Sequence, residues 1–142
     1  MLSEFRQFAE TTAREAGQLT LKYFLTVEAT PEFKCDDTPV TVADRGAEEL
    51  IRKRIVETYP DHEIIGEEFG ATDGNSKYRW IIDPIDGTKS FVHGVPLYAV
   101  LIALEINGTV EVGCAYFPAL DEMLSGATGD CLLYTSPSPR DR

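Results

Sequence analysis

The sequence predicts an α+β fold in which N-terminal helices pack on a mainly antiparallel sheet. Three observations predict it. Residues 3–25 and 41–59 carry apolar positions at helical spacing. Residues 98–117 read as two apolar strands joined by Asn107-Gly108, a strong hairpin signal. The run from Trp80 to Asp86 looks like a buried strand that ends in carboxylates.

Taken in order, Phe5, Phe8, Ala9, Thr12, Ala13, Ala16, Leu19, Tyr23 and Phe24 share one broad helical face. Gly17 is either a weak point or a point of close packing. Residues 26–33 could be extended, and 34–41 form a polar loop. Thr41 and Asp44 resemble the start of a capping box. The second helix then runs to about Tyr59, with Ala47, Leu50, Ile51 and Ile55 facing inward and Val56 at the margin of that face, until Pro60 stops it. A short strand is expected over 62–66 and a surface loop over 70–77. Strands follow at 78–82, 98–106 and 109–117, and a short strand or turn begins at Asp121. Such a sheet reads as unfinished, because little sequence follows to cover it.

The chemistry concentrates in acids. Asp83 and Asp86 leave one turn, Pro84 restricts the backbone between them, and Gly87 permits a tight bend. Two carboxylates so placed can converge on one hard cation, which wants oxygen ligands. Backbone N–H groups after Gly87, near Thr88, could hold phosphate oxygens. A lone Asp-x-x-Asp is usually an ordinary turn; the whole string Asp83-Pro84-Ile85-Asp86-Gly87-Thr88 is far more specific. Glu67 and Glu68 follow Ile64-Ile65-Gly66, either as a solvated pair or as further ligands. Asp44 is either a carboxylate favoured by the helix dipole or a group that orients water. Lys34 is either a loop lysine or a phosphate contact, and His93 is better read as structural than as a base.

Trp80 to Pro96, Gly66-Glu67-Glu68 and the Thr41 to Asp44 segment, in this order and at these separations, resemble the inositol monophosphatase superfamily. The resemblance covers about residues 3–130. It implies a layered α/β sandwich of the sugar-phosphatase type, truncated here before a second domain. It implies magnesium-dependent hydrolysis of a small phosphorylated alcohol by a metal-activated water. Glu67, Asp83 and the Ile85 carbonyl would bind one Mg2+, and Asp83 and Asp86 a second. Asp44 and Thr88 would activate the water, Gly87 and Thr88 would hold phosphate, and Glu68 would be a neighbour of the ligands. Residues 67–70, 86–91, 94–98 and 116–123 are similar to the histidinol-phosphatase branch, so histidinol phosphate is the expected substrate. Inositol or sugar phosphates are the alternative. The resemblance also implies a homodimer at full length, and a missing C-terminal domain that brings another metal ligand. The chain as written is therefore expected to be inactive. Were the short chain genuine, a non-catalytic acidic module that binds metal or phosphate is the other reading.

A net charge of −11 argues against nucleic acid or an anionic membrane as partner. The 43% apolar content reads as globular. No run is apolar enough for a signal peptide or a membrane span. Cys35, Cys114 and Cys131 match no metal spacing, so a reducing compartment, the cytoplasm, is expected. Residues 131–142 shift abruptly in composition and resemble a translated sequencing adapter. The expected division is a phosphatase part over 1–130 and a non-native or disordered tail over 131–142.

Overall fold

The computed structural model describes residues 2–24, 39–72 and 74–136. Helices α1 (Leu2–Phe24) and α2 (Pro39–Thr58) precede strands β1 (Glu63–Gly66), β2 (Gly70–Ala71) and β3 (Tyr78–Asp86). A short helix α3 (Thr88–Val92) leads to β4 (Ala99–Ile106), β5 (Thr109–Phe117), β6 (Glu122–Ala127) and β7 (Leu133–Thr135). Among the described residues, seven strands form one sheet in the order β2-β1-β3-β4-β5-β6-β7. Only β1 and β3 pair in parallel; the other neighbours are antiparallel. The α+β expectation therefore holds.

Alternation decides which face of the sheet meets the helices. Trp80 and Ile82 of β3, Val100, Ile102 and Leu104 of β4, and Val112, Cys114 and Tyr116 of β5 are buried. They share one core with Phe5, Ala9, Ala13 and Ala16 of α1 and with Ala47, Ile51 and Ile55 of α2. The small residues of α1 let that helix lie close to the sheet. The intervening Leu101, Ala103, Gly113, Ala115 and Leu124 line a concavity of about 800 Å³ on the opposite face. Cys114 packs as a small apolar group beside the Met123 sulfur, 3.2 Å away, and burial pushes its thiol up to about 12. Cys35 lies outside the described residues.

Gly17 is a point of close packing. A Cβ there would sit 2.6 Å from the Tyr116 ring and 2.8 Å from Pro118 Cγ. The ring cannot easily yield: its hydroxyl accepts from Gln18 Nε2 (3.2 Å) and donates to Asp121 Oδ1 (2.7 Å). Alanine would gain about 1 kcal/mol of helix propensity. Overpacking costs roughly 1–3 kcal/mol. With the ring pinned the second effect wins, and Gly17→Ala is expected to lower the urea midpoint.

Several boundaries differ from the sequence reading. Helix α2 begins at Pro39, so Thr41 lies inside its first turn and does not cap it. Proline presets the helical φ and needs no N–H at the first position, which lets the helix start earlier. Val56 is 55% exposed, because the inner face is already filled by Ile51 and Ile55. Within the expected 70–77 loop, Gly70 and Ala71 pair back onto β1. Strand β3 continues past Ile82 to Asp86 through an irregularity between Asp83 and Asp86. Asn107 and Gly108 take positive φ (53° and 84°), as the hairpin requires. Strand β6 runs on to Ala127, so the sheet extends beyond the expected hairpin. Leu133–Thr135 then pair with β6, yet their side chains, like that of Leu132, stay exposed. This edge is held by backbone bonds and buries little.

Candidate metal centre

Helix α2, the β1–β2 turn and the end of β3 bring the acids to one end of the parallel β1–β3 pair. Asp44 projects from the second turn of α2 and is only 8% exposed. Glu67 and Glu68 stand in the turn after β1 and are exposed. One carboxylate oxygen each of Asp44, Glu67 and Glu68 lie within 4.8 Å of one another. No other such triad occurs among the described residues. Asp83 and Asp86 are therefore near this group without joining it as tightly. Asp83 is half-buried and Asp86 exposed.

Electrostatics show how close the acids are. Burial, then the charges of Glu68, Asp83, Glu67 and Glu48, raise the Asp44 carboxyl from 3.8 to about 7. Burial, then Glu67 and Asp86, raise Asp83 to about 6 against the opposing pull of a backbone hydrogen bond from Ile85. Oδ1 of Asp44 and Oδ1 of Asp83 are both buried and have no hydrogen-bond partner. Buried acceptors without donors are costly. A hard cation satisfies such oxygens, so this donor set fits Mg2+.

The bend after β3 rests on a second small core of Phe24, Ala43, Ile85, Phe91 and Tyr98. Ring centroids of Phe91 and Tyr98 stand 4.9 Å apart, and those of Phe24 and Tyr98 5.2 Å. Ile85 is buried in this cluster, whereas Asp83 is half-buried near Glu67 and Asp86 is exposed. Gly87 takes φ 95°, and a Cβ there would approach the Tyr98 backbone at 3.4 Å. That distance is ordinary contact, so it is the left-handed backbone conformation that calls for glycine. Thr88 opens α3, and its hydroxyl reaches the Ile85 carbonyl at 3.5 Å. His93 is exposed, and its Nδ1 donates to the Lys89 carbonyl at 2.8 Å, a structural engagement. Lys34 lies outside the described residues.

The sequence reading missed Glu48. It is fully buried on α2, one turn beyond Asp44, and its carboxylate meets the turn that carries Glu67 and Glu68. The available signal was an acid four residues after Asp44, between the inward-facing Ala47 and Ile51.

Residues 1–138 match the inositol monophosphatase family. A histidinol-phosphatase of Chlorobaculum parvum is 52% identical over 123 residues, spanning 87% of this chain and 48% of that protein. A fructose-1,6-bisphosphatase/inositol-1-monophosphatase of Aquifex aeolicus is 37% identical over 129 residues, spanning 90% and 49%. The solved inositol monophosphatase of Anabaena superposes with a TM-score of 0.80 at 33% identity, covering 94% of this chain and 47% of that one. The chain thus spans about half the length of the relatives it matches.

Proposed function

The chain belongs to the inositol monophosphatase family, and from that premise we propose that it forms the N-terminal part, over residues 1–130, of a magnesium-dependent phosphomonoesterase. The observation that carries the reading is the convergence of Asp44, Glu67 and Glu68, with a buried oxygen on Asp44 and another on Asp83 that lack donors. Glu67, Asp83, Asp86 and the Ile85 carbonyl would hold the metal. Magnesium, when bound, would make water a better nucleophile and offset charge on the phosphate oxygens. Asp44, buried beside these acids, would take a proton from the attacking water. The Thr88 hydroxyl would orient that water, and the amides of Gly87 and Thr88 would hold phosphate. Lys34 is the remaining candidate phosphate contact.

Histidinol phosphate is the proposed substrate. Support comes from the 52% identity to a histidinol-phosphatase, against 37% to the bifunctional sugar and inositol enzyme. Breadth toward inositol or sugar phosphates is the alternative reading. The test follows the native reading frame past codon 130 and assays the whole product. Phosphate release from histidinol phosphate is expected to require Mg2+ and to exceed release from inositol 1-phosphate. Faster inositol 1-phosphate turnover would select the alternative; no magnesium-dependent release from either would sink the enzyme reading.

A further inference from the structure

Glu48 is a carboxylate with no exposed surface in the middle of α2. Its Oε1 accepts from the Glu68 N–H at 2.9 Å, and its Oε2 accepts from the Phe69 N–H at 3.1 Å. The Arg52 Nε, one helical turn on, donates to Oε2 at 2.9 Å. Arg52 also donates to the Gly70 carbonyl and places its guanidinium over the Phe69 ring. The buried charge is thus paired and hydrogen-bonded, and each of its bonds beyond Arg52 goes to the turn that bears the acids. The turn in turn is cut to fit. A Cβ on Gly66 would come 2.4 Å from Glu48 Oε2 and 2.7 Å from its carboxyl carbon.

We propose that Glu48 is a positioning residue for cation binding: it fixes the peptide planes around Glu68 and so aims the Glu67 and Glu68 carboxylates at Asp44. Helix α2 then carries both halves of the arrangement. Asp44 enters the acid group directly, and Glu48, on the same helix face, holds the other two acids in register with it. The inference rests on the cation-site reading of Asp44, Glu67 and Glu68. A free turn would let two exposed, like-charged carboxylates swing apart into water. Gripping the backbone rather than the side chains leaves the Glu67 carboxylate available to a cation and keeps Glu68 beside it.

Glutamine cannot replace this grip. Its single carbonyl oxygen would face three donors, and its NH2 would oppose one of them. The experiment titrates Mg2+ alone into this chain and into Glu48→Gln by calorimetry, with circular dichroism in EDTA as the check of fold. Amide exchange at Glu68 and Phe69 is followed by NMR in the same samples. Expected are a retained helical spectrum, lost protection at both amides, and magnesium affinity weaker by about 10- to 100-fold, as for other groups that orient ligands. Affinity within twofold of wild type in a folded Glu48→Gln would overturn the proposal. If Glu48→Gln does not fold, Gly66→Ala displaces the same carboxylate and is read by the same two criteria. A wild-type chain with no saturable Mg2+ binding would instead remove the cation-site reading itself, and with it the role of Glu48.

Discussion

Asp83→Asn is expected to make the metal-free chain more stable at pH 8 while weakening its affinity for Mg2+ at least about tenfold. The two effects have opposite sign because one charge causes both. Burial and the neighbouring Glu67 and Asp86 raise the Asp83 carboxyl from 3.8 to about 6, so at pH 8 it is ionised at a cost. Each pKa unit corresponds to about 1.4 kcal/mol. Asp83 is only half-buried, and solvent screening reduces the recoverable gain to about 1 kcal/mol. Asparagine has nearly the same shape and no charge, so it keeps the packing and removes that penalty. It also offers a weaker oxygen to a cation, and in the proposed whole enzyme phosphate release should fall by at least about 100-fold. Melting in EDTA and calorimetric titration with Mg2+ measure the pair of effects. A variant that is less stable and binds Mg2+ as tightly as wild type would show that Asp83 is merely a turn residue.

The second expected result is a loss of stability as the metal-free chain is brought from pH 4 to pH 7. Asp44 and Asp83 titrate in the folded chain at about 7 and about 6, against 3.8 when free of the fold. Between those values the folded chain holds protons that the unfolded chain has released. The unfolding free energy therefore falls with rising pH across the window and levels off above about 7. Saturating Mg2+ at pH 8 should reverse the loss; a ligand at 100 times its Kd adds about 2.7 kcal/mol. For a chain of this size that is a rise of roughly 5 °C or more in Tm. General repulsion from a net charge of −11 pushes in the same direction. Asp83→Asn separates the two, because it should flatten the slope between pH 4 and 6 while changing the net charge by one. A melting temperature that climbs steadily through the window without metal would contradict the electrostatics of the site.

Much of this architecture was legible because it follows local rules. The helical face from Phe5 to Phe24, the existence of β4 and β5 as apolar strands and the Asn107-Gly108 turn each read correctly from local pattern alone. The acidic string after Trp80 also stood out, since a bend rich in proline, glycine and carboxylates after a buried run has few structural uses. The missed features depend on contacts between distant residues. The β2 pairing needs Gly70 and Ala71 to find β1, which two residues cannot announce. The start of α2 at Pro39 was hidden by a plausible cap at Thr41. Glu48 looked like one more surface acid in a helix that already had Glu49 beside it.

The sequence by itself determined the order of the main helices and strands, the apolar face of each long helix, and the presence of an oxygen-rich acidic string that resembles a family of phosphatases. Those properties are set by periodicity and by the chemistry of adjacent residues. The tertiary structure alone decided which acids stand together: Asp44 with Glu67 and Glu68 at close range, and Asp83 and Asp86 at the margin. It also decided that Glu48 is buried and faces the turn, whereas Val56 is not buried. The reason is geometric. Residues 44, 67 and 68 meet, with 83 at their margin, only because α2 packs on the sheet where β1 pairs in parallel with β3, and no local pattern encodes the distance between separate elements.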